Sequence, residues 1–279
     1  MSVAPTTEEP TAATRAGGSS FYMAMRILPR AQRDAMFEIY SFCRRVDDIA
    51  DEGGPRDERK LALKAWHSDI DALYAGERVI GLDGLARAVK EFGLRREDFH
   101  AVIDGMEMDA IEDIRAPDWA TLDLYCDRVA SAVGRLSVRV FGMEEQAGID
   151  LAYHLGRALQ LTNISRDIDE DADIGRLYLP REALEAAGIT TTDPHAAIAS
   201  PRIGEVGNAV LARARDHFAR ADAIMAAAPR RTVKAPRIMG EAYRAIFDGL
   251  VARGFAPPRE RVSISKPKLL IAILKYAFI

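Results

Sequence analysis

Apolar and polar positions along the chain follow the period of an α-helix almost throughout. Ala, Leu, Arg, Glu and Met, all strong helix formers, dominate. No run of β-branched residues alternates with polar ones between turn signals, so no strand is predicted. Glycine and proline divide the pattern into helical lengths. Helices are expected over 31–51, 56–75, 82–92, 95–113, 119–141, 144–171, 204–227 and 234–253. Short ones are expected to start at Pro180 and after Pro267. Residues 1–16, rich in Thr, Ala, Pro and Glu, read as a disordered lead-in, and 17–279 as one all-α domain. Gly105, Gly134 and Gly156 fall inside helices. There each costs about 1 kcal/mol against alanine, so each implies close helix packing or room for a ligand. Val129, Ala130, Val133 and Gly134 form a wall of small residues suited to border an apolar pocket.

Composition narrows the class. Of 279 residues, 38 are Lys or Arg and 42 Asp or Glu, a net charge of −4. A nucleic-acid-binding domain would carry a basic excess. An acidic disordered chain would not be 48% hydrophobic. Two cysteines, Cys43 and Cys126, cannot staple a secreted scaffold, and a cytoplasmic setting is expected. The apolar tail 269–279, interrupted by Lys275, is shorter than the roughly 20 residues of a membrane span. Peripheral contact with the inner face of a membrane stays open. The five histidines contain no close-spaced ligand pair and read as surface or structural residues.

Two acidic segments change the picture. In 40–51, Asp47 and Asp51 are i, i+4 neighbours on a helix, with Arg44 and Tyr40 one and two turns earlier and Asp48 to one side. In 160–171, Asn163, Asp167 and Asp171 form an i, i+4, i+8 stripe of oxygen ligands, with Gln160 and Glu170 close by and Asp169 pointing elsewhere. Like charges at i, i+4 repel. A hard divalent cation in a cleft offsets that repulsion, and magnesium prefers carboxylates shared with substrate phosphates. Arginines grip phosphate oxygens in bidentate fashion. Arg44, Arg166 and Arg176 lie beside the stripes, so the pattern suits magnesium diphosphate.

At these residues the chain resembles the squalene and phytoene synthase family. The resemblance runs through Ser19-Ser20-Phe21, Tyr40 with 43–51, Tyr125 with 130–134, 160–171, 175–180 and 261–268. It implies an all-α isoprenoid synthase fold and head-to-head joining of two allylic prenyl diphosphates. The overall likeness is to bacterial members of hopanoid biosynthesis, which take two farnesyl diphosphates and stop at the cyclopropyl product, presqualene diphosphate. The alternatives are squalene synthesis with NADPH and phytoene synthesis from geranylgeranyl diphosphate.

On matching positions the resemblance makes Asp47, Asp51, Asn163, Asp167 and Asp171 ligands for Mg2+, with Mn2+ as a substitute and no NADPH expected. Tyr40 joins the catalytic aspartates. Arg44, Arg45, Arg166 and Arg176 clamp diphosphate, Tyr243 donates to it, and Asp48 assists. Ser20, Phe21, Val129, Val133, Gln160 and Leu161 contact substrate, and Met25 and Phe37 are candidates for the cavity floor. The partners implied are farnesyl diphosphate, the diphosphate product and downstream pathway enzymes.

Overall fold

The computed structural model describes residues 24–51, 54–111 and 114–277. The expected lead-in, Ser20 and Phe21 lie outside the described residues. The elements are α1 (Arg30–Asp51), α2 (Arg56–Tyr74), α3 (Asp83–Phe92), α4 (Arg96–Ile111) and α5 (Trp119–Cys126). A π-helical turn (Asp127–Ser131) leads into α6 (Ala132–Val140), followed by α7 (Glu145–Arg166), α8 (Ile168–Asp173), α9 (Arg181–Ala186) and α10 (Pro194–Ile198). The chain closes with α11 (Ile203–Ala227), a 3-10 turn (Arg230–Thr232), α12 (Lys234–Arg253) and α13 (Lys266–Ala277). Among the described residues the β-structure is one isolated parallel bridge, Arg115 to Leu177. No helix of these residues is long and apolar enough to cross a membrane.

Helix boundaries follow local chemistry. Asp118 opens α5 by accepting from the Thr121 amide at 2.7 Å, which satisfies an orphan donor of the first turn. Gly93 ends α3 at φ 59°, a left-handed conformation without penalty when no Cβ is present. The sequence pattern did not announce α10, which Asp193 caps and Pro194 starts.

Two expected helices are interrupted. The segment 119–141 contains the π-helical turn. The segment 144–171 breaks at Asp167, whose φ of −101° and ψ of 19° leave the helical region. Asp167 is the residue where Arg166 and Arg261 both take hold of one carboxylate. The hydrogen-bond ladder nevertheless bridges the break. Asp167 N–H donates to Asn163 O at 2.9 Å, and Asp171 N–H to Asp167 O at 2.8 Å. The i, i+4, i+8 stripe therefore keeps its alignment across two helices.

Packing centres on α7, which contacts α6, α11, α12 and the π-helical turn. One core cluster gathers Leu122, Leu161, Ile164, Leu211, Phe218 and Leu250. Another gathers Phe42, Leu63, Phe99, Ile103 and Leu136. Val129 packs against both. Trp66 and Trp119 serve as packing surfaces under Arg45 and Arg213.

The helices flanking the cavity touch at backbone distance. A Cβ on Gly134 would lie 3.1 Å from Ala152 Cα, and one on Gly156 would lie 2.8 Å from Ser131 N and Cα. Gly156→Ala is therefore expected to destabilise the fold by about 1–3 kcal/mol in denaturant unfolding. Gly204→Ala, with nothing within 4 Å of its new methyl, should be neutral or gain up to about 1 kcal/mol. An unchanged midpoint for Gly156→Ala would disprove the close approach.

Candidate active site

The cavity, about 470 Å3, runs beside α7. The α7 residues that line it recur at helical period: Leu151 and Ala152, Leu155 and Gly156, Leu159 and Gln160, then Asn163. Twelve residues at 1.5 Å each make this wall about 18 Å long. It is apolar at Leu151 and polar at Asn163. Tyr40, Arg44 and Asp47 of α1 and Tyr243 of α12 add to the polar lining. Val129, Val133, Val138 and Phe141 add to the apolar wall, and Val138 packs with Leu151 in one cluster. Val129, Val133, Tyr40, Gln160 and Tyr243 all line this cavity.

Three expectations are corrected. Leu161 neighbours Gln160 but points about 100° away and is buried in the core with Leu122 and Ile164. The Arg45 guanidinium lies 4.8 Å over the Trp66 ring, at the α1–α2 contact, so the structure does not bring it to Arg44. Met25 lines the cavity, whereas Phe37, two turns before Arg44, lies beyond it in the core with Leu136 and Val140.

At the polar end the carboxylates are already held. Arg44 donates to Asp47 at 2.9 Å and to Asp48 at 2.6 Å. Arg176 donates to Asp51 at 3.0 Å. Arg166 donates to both Asp167 oxygens, at 2.7 and 2.5 Å, and also bonds Tyr243. Arg261 lies 3.0 Å from Asp167 and 3.1 Å from Glu170. Asp169 points away, held by Arg259 at 2.6 and 2.8 Å. The loop that carries Arg176 is fixed by the bridge: Leu177 N–H donates to Ile114 O at 2.7 Å and Leu177 O accepts from Ala116 at 2.8 Å.

Sequence reasoning missed Asp109 of α4. It is 5% exposed and accepts from Tyr178 Oη at 2.6 Å and Tyr125 Oη at 2.9 Å. The two tyrosine rings stack 5.0 Å apart. Asp109 repels Asp47 of one stripe and Asp171 of the other, and attracts Arg176, so it sits between the stripes. One of three aspartates on a helix that also holds Asp98 and Asp104, it carries no spacing signal of this role. Tyr125 and Tyr178 stand within the segments of resemblance, but nothing in their spacing showed that they meet.

Burial, and then the Asp51 charge, push the Asp47 carboxyl up to about 6. Burial, and then Asp167, push Asp171 up to about 8. Burial raises Asp109 too, against the pull of Arg176 and its two tyrosines. Burial pushes both cysteine thiols up to about 12, which leaves them protonated and unreactive.

A divalent cation fits this donor set on a specific observation. Asn163 Oδ1 is buried without a hydrogen-bond partner, while its amide nitrogen is turned to Gln160 at 3.4 Å. An orphaned oxygen in line with two carboxylates is a position for a hard cation.

The squalene/phytoene synthase family profile matches residues 14–268. The chain belongs to that family. It is 60% identical over 262 residues to the presqualene diphosphate synthase of Rhodopseudomonas palustris, covering 94% of each chain. It is 58% identical over 260 residues to that of Sinorhizobium fredii, covering 93% of each. The squalene synthase HpnC of Alicyclobacillus acidocaldarius superposes with a TM-score of 0.79 at 28% identity, over 88% of this chain and 92% of that one. The fold is the all-α isoprenoid synthase fold.

The raised carboxyls set the sign of a pH effect. Asp47 and Asp171 keep protons in the folded chain at pH values where the unfolded chain has lost them, so their contribution to stability falls as pH rises. In chelator, the thermal midpoint of the wild type should decline between about pH 6 and about pH 8 relative to Asp171→Asn. Parallel curves would contradict the assignment.

Proposed function

We propose that this family member is a prenyltransferase that joins two farnesyl diphosphates head to head. One diphosphate and one proton are released and presqualene diphosphate is formed, in squalene and hopanoid biosynthesis. The observation that carries the reading is that Asp47 and Asn163, its Oδ1 buried and unpartnered, line the polar end of an apolar cavity, while Asp51, Asp167 and Asp171 continue their two stripes. Relatives at 58% and 60% identity that bear the corresponding name support it.

Those five residues would hold magnesium, which when bound would supply charge neutralisation for a leaving diphosphate. The chain's own residues do the rest. Arg44, Arg166, Arg176 and Arg261 exchange carboxylate oxygens for diphosphate oxygens, and Asp48 keeps Arg44 oriented. Tyr40 and Tyr243 offer hydroxyls at the same end. Tyr125 and Tyr178 hold Asp109 in place, and burial keeps both hydroxyls protonated. Loss of diphosphate leaves an allylic cation, the double bond of the second chain attacks it, and proton loss closes the cyclopropane. The released diphosphate is the base at hand. Val129, Val133, Leu155, Leu159 and Met239 keep water from the cation. Leu270, Ile271 and Leu274 are exposed on α13, an apolar face suited to a membrane surface that receives a lipid product.

Purified protein with labelled farnesyl diphosphate and magnesium should yield presqualene diphosphate, with or without NADPH. Squalene formed only with NADPH, or turnover only of geranylgeranyl diphosphate, would overturn the reading. Asp47→Ala and Asp167→Ala should each abolish turnover while circular dichroism keeps its helical signal; full activity in either would refute the ligand set.

Chain length is set at the apolar end. Val138 lines the cavity and also a second one of about 340 Å3, bordered by Arg95, Glu97, Arg135 and Arg139. Val138 is a wall residue of both. Val138→Ala should raise turnover of the twenty-carbon substrate relative to the fifteen-carbon one by about tenfold, the scale of one or two methylenes in an apolar pocket. Val138→Phe should lower that ratio. Equal ratios in both variants would place the floor elsewhere.

A further inference from the structure

Behind the cavity wall, α2 and α4 pack on each other, and five polar side chains meet between them. His67 and Asp71 come from α2, and His100, Asp104 and Glu107 from one face of α4. The hydrogen bonds assign one proton. Asp71 Oδ1 lies 2.7 Å from His100 Nε2, and a carboxylate only accepts, so Nε2 carries the proton. Arg96 Nε, 3.1 Å from the same ring nitrogen, has its own acceptor in Asp71 Oδ1 at 2.8 Å. His100 Nδ1 meets His67 Nδ1 in a short contact, with the ring centroids 4.7 Å apart, so one of these two nitrogens donates to the other.

With Nδ1 engaged by His100, Nε2 is the His67 nitrogen that meets the carboxylates of α4. It points at Asp104 Oδ1, 3.3 Å away, and Glu107 Oε1, 3.8 Å away. The ligand atoms of these three residues lie within 4.8 Å of one another. Arg128 reaches Asp104 through the other oxygen, Oδ2, at 3.7 Å, so Oδ1 stays turned inward. Two carboxylates this close to each other and to an imidazole nitrogen are a donor set for a divalent cation. We propose that His67 Nε2, Asp104 and Glu107 bind a divalent transition metal, zinc foremost, as a site separate from the aspartate stripes.

Size and chemistry agree. Ligands about 2.0–2.1 Å from a tetrahedral zinc stand roughly 3.3 Å apart, the observed His67–Asp104 separation. One imidazole with two carboxylates suits zinc better than magnesium. The residues are half-buried, which leaves a position for water. The Asp71–His100–His67 chain is the kind of outer support that fixes a ligating imidazole. A metal here ties α2 to α4, the helix that carries Val102 and Met106 of the cavity wall and the buried Asp109.

The test is zinc titration of chelator-stripped protein by calorimetry, with magnesium in excess to occupy the aspartate stripes. Wild type should bind one more zinc ion than His67→Gln or Asp104→Asn, and its thermal midpoint should rise with zinc where theirs do not. Asp71→Asn, which removes the outer support, should weaken that zinc by about tenfold. Binding is read without turnover, so the result stands apart from the proposed reaction. Equal zinc stoichiometry in wild type and His67→Gln would overturn the site. The extra equivalent in wild type alone would establish it.

Discussion

The packing of α1, α4, α7 and α8 brings the charges of Asp47, Asp51, Asp109, Asp167 and Asp171 within reach of one another, and the rest of the structure answers that crowding of negative charge. Buried like charges either take up protons or find cations. Both responses are present. Asp47 and Asp171 have raised affinities for protons, and Arg44, Arg166, Arg176 and Arg261 each lie against a carboxylate. The arginines are therefore part of the resting site. On the proposed reading, an anionic substrate with its counter-cations would replace one set of ion pairs by another, so little charge would be left uncompensated during exchange.

The face of α7 shows how one helix serves two kinds of chemistry. Leu151, Leu155 and Leu159 continue without a change of phase into Asn163, and the backbone bonds across Asp167 carry the same phase to Asp171. A chain lying along the apolar part has its reactive end delivered to the oxygen ligands by helix geometry alone. Backbone-close contacts at Gly134 and Gly156 keep that wall rigid. The buried Arg157, bidentate to Asp123 at 2.7 and 2.8 Å, pins α7 to α5.

Legibility in the sequence followed periodicity. The all-α fold, the Asp47–Asp51 pair and the Asn163–Asp167–Asp171 stripe were all readable, because spacing on one helix is a local property. Val129 and Val133 were readable as small residues at helical interval. What spacing does not carry is the identity of the opposing surface. Arg45 is one residue from Arg44, yet about 100° of rotation turns it to Trp66. Asp109, Tyr125 and Tyr178 come from three separate segments and meet only in the fold. His67 and His100 are likewise far apart in sequence and stacked in space.

The π-helical turn between α5 and α6 has a consequence for how this chain tolerates change. Each extra residue in a helix advances everything after it by about 100° relative to everything before it. Tyr125 precedes the turn and belongs to the Asp109 network, while Val133 and Val138 follow it and belong to the apolar wall. The single surplus residue keeps these two groups in phase. Removing one residue there would restore an ordinary α-helix and rotate the wall away from the tyrosine, although every side chain needed for the chemistry would remain. At this turn, length is a more stringent requirement than residue identity.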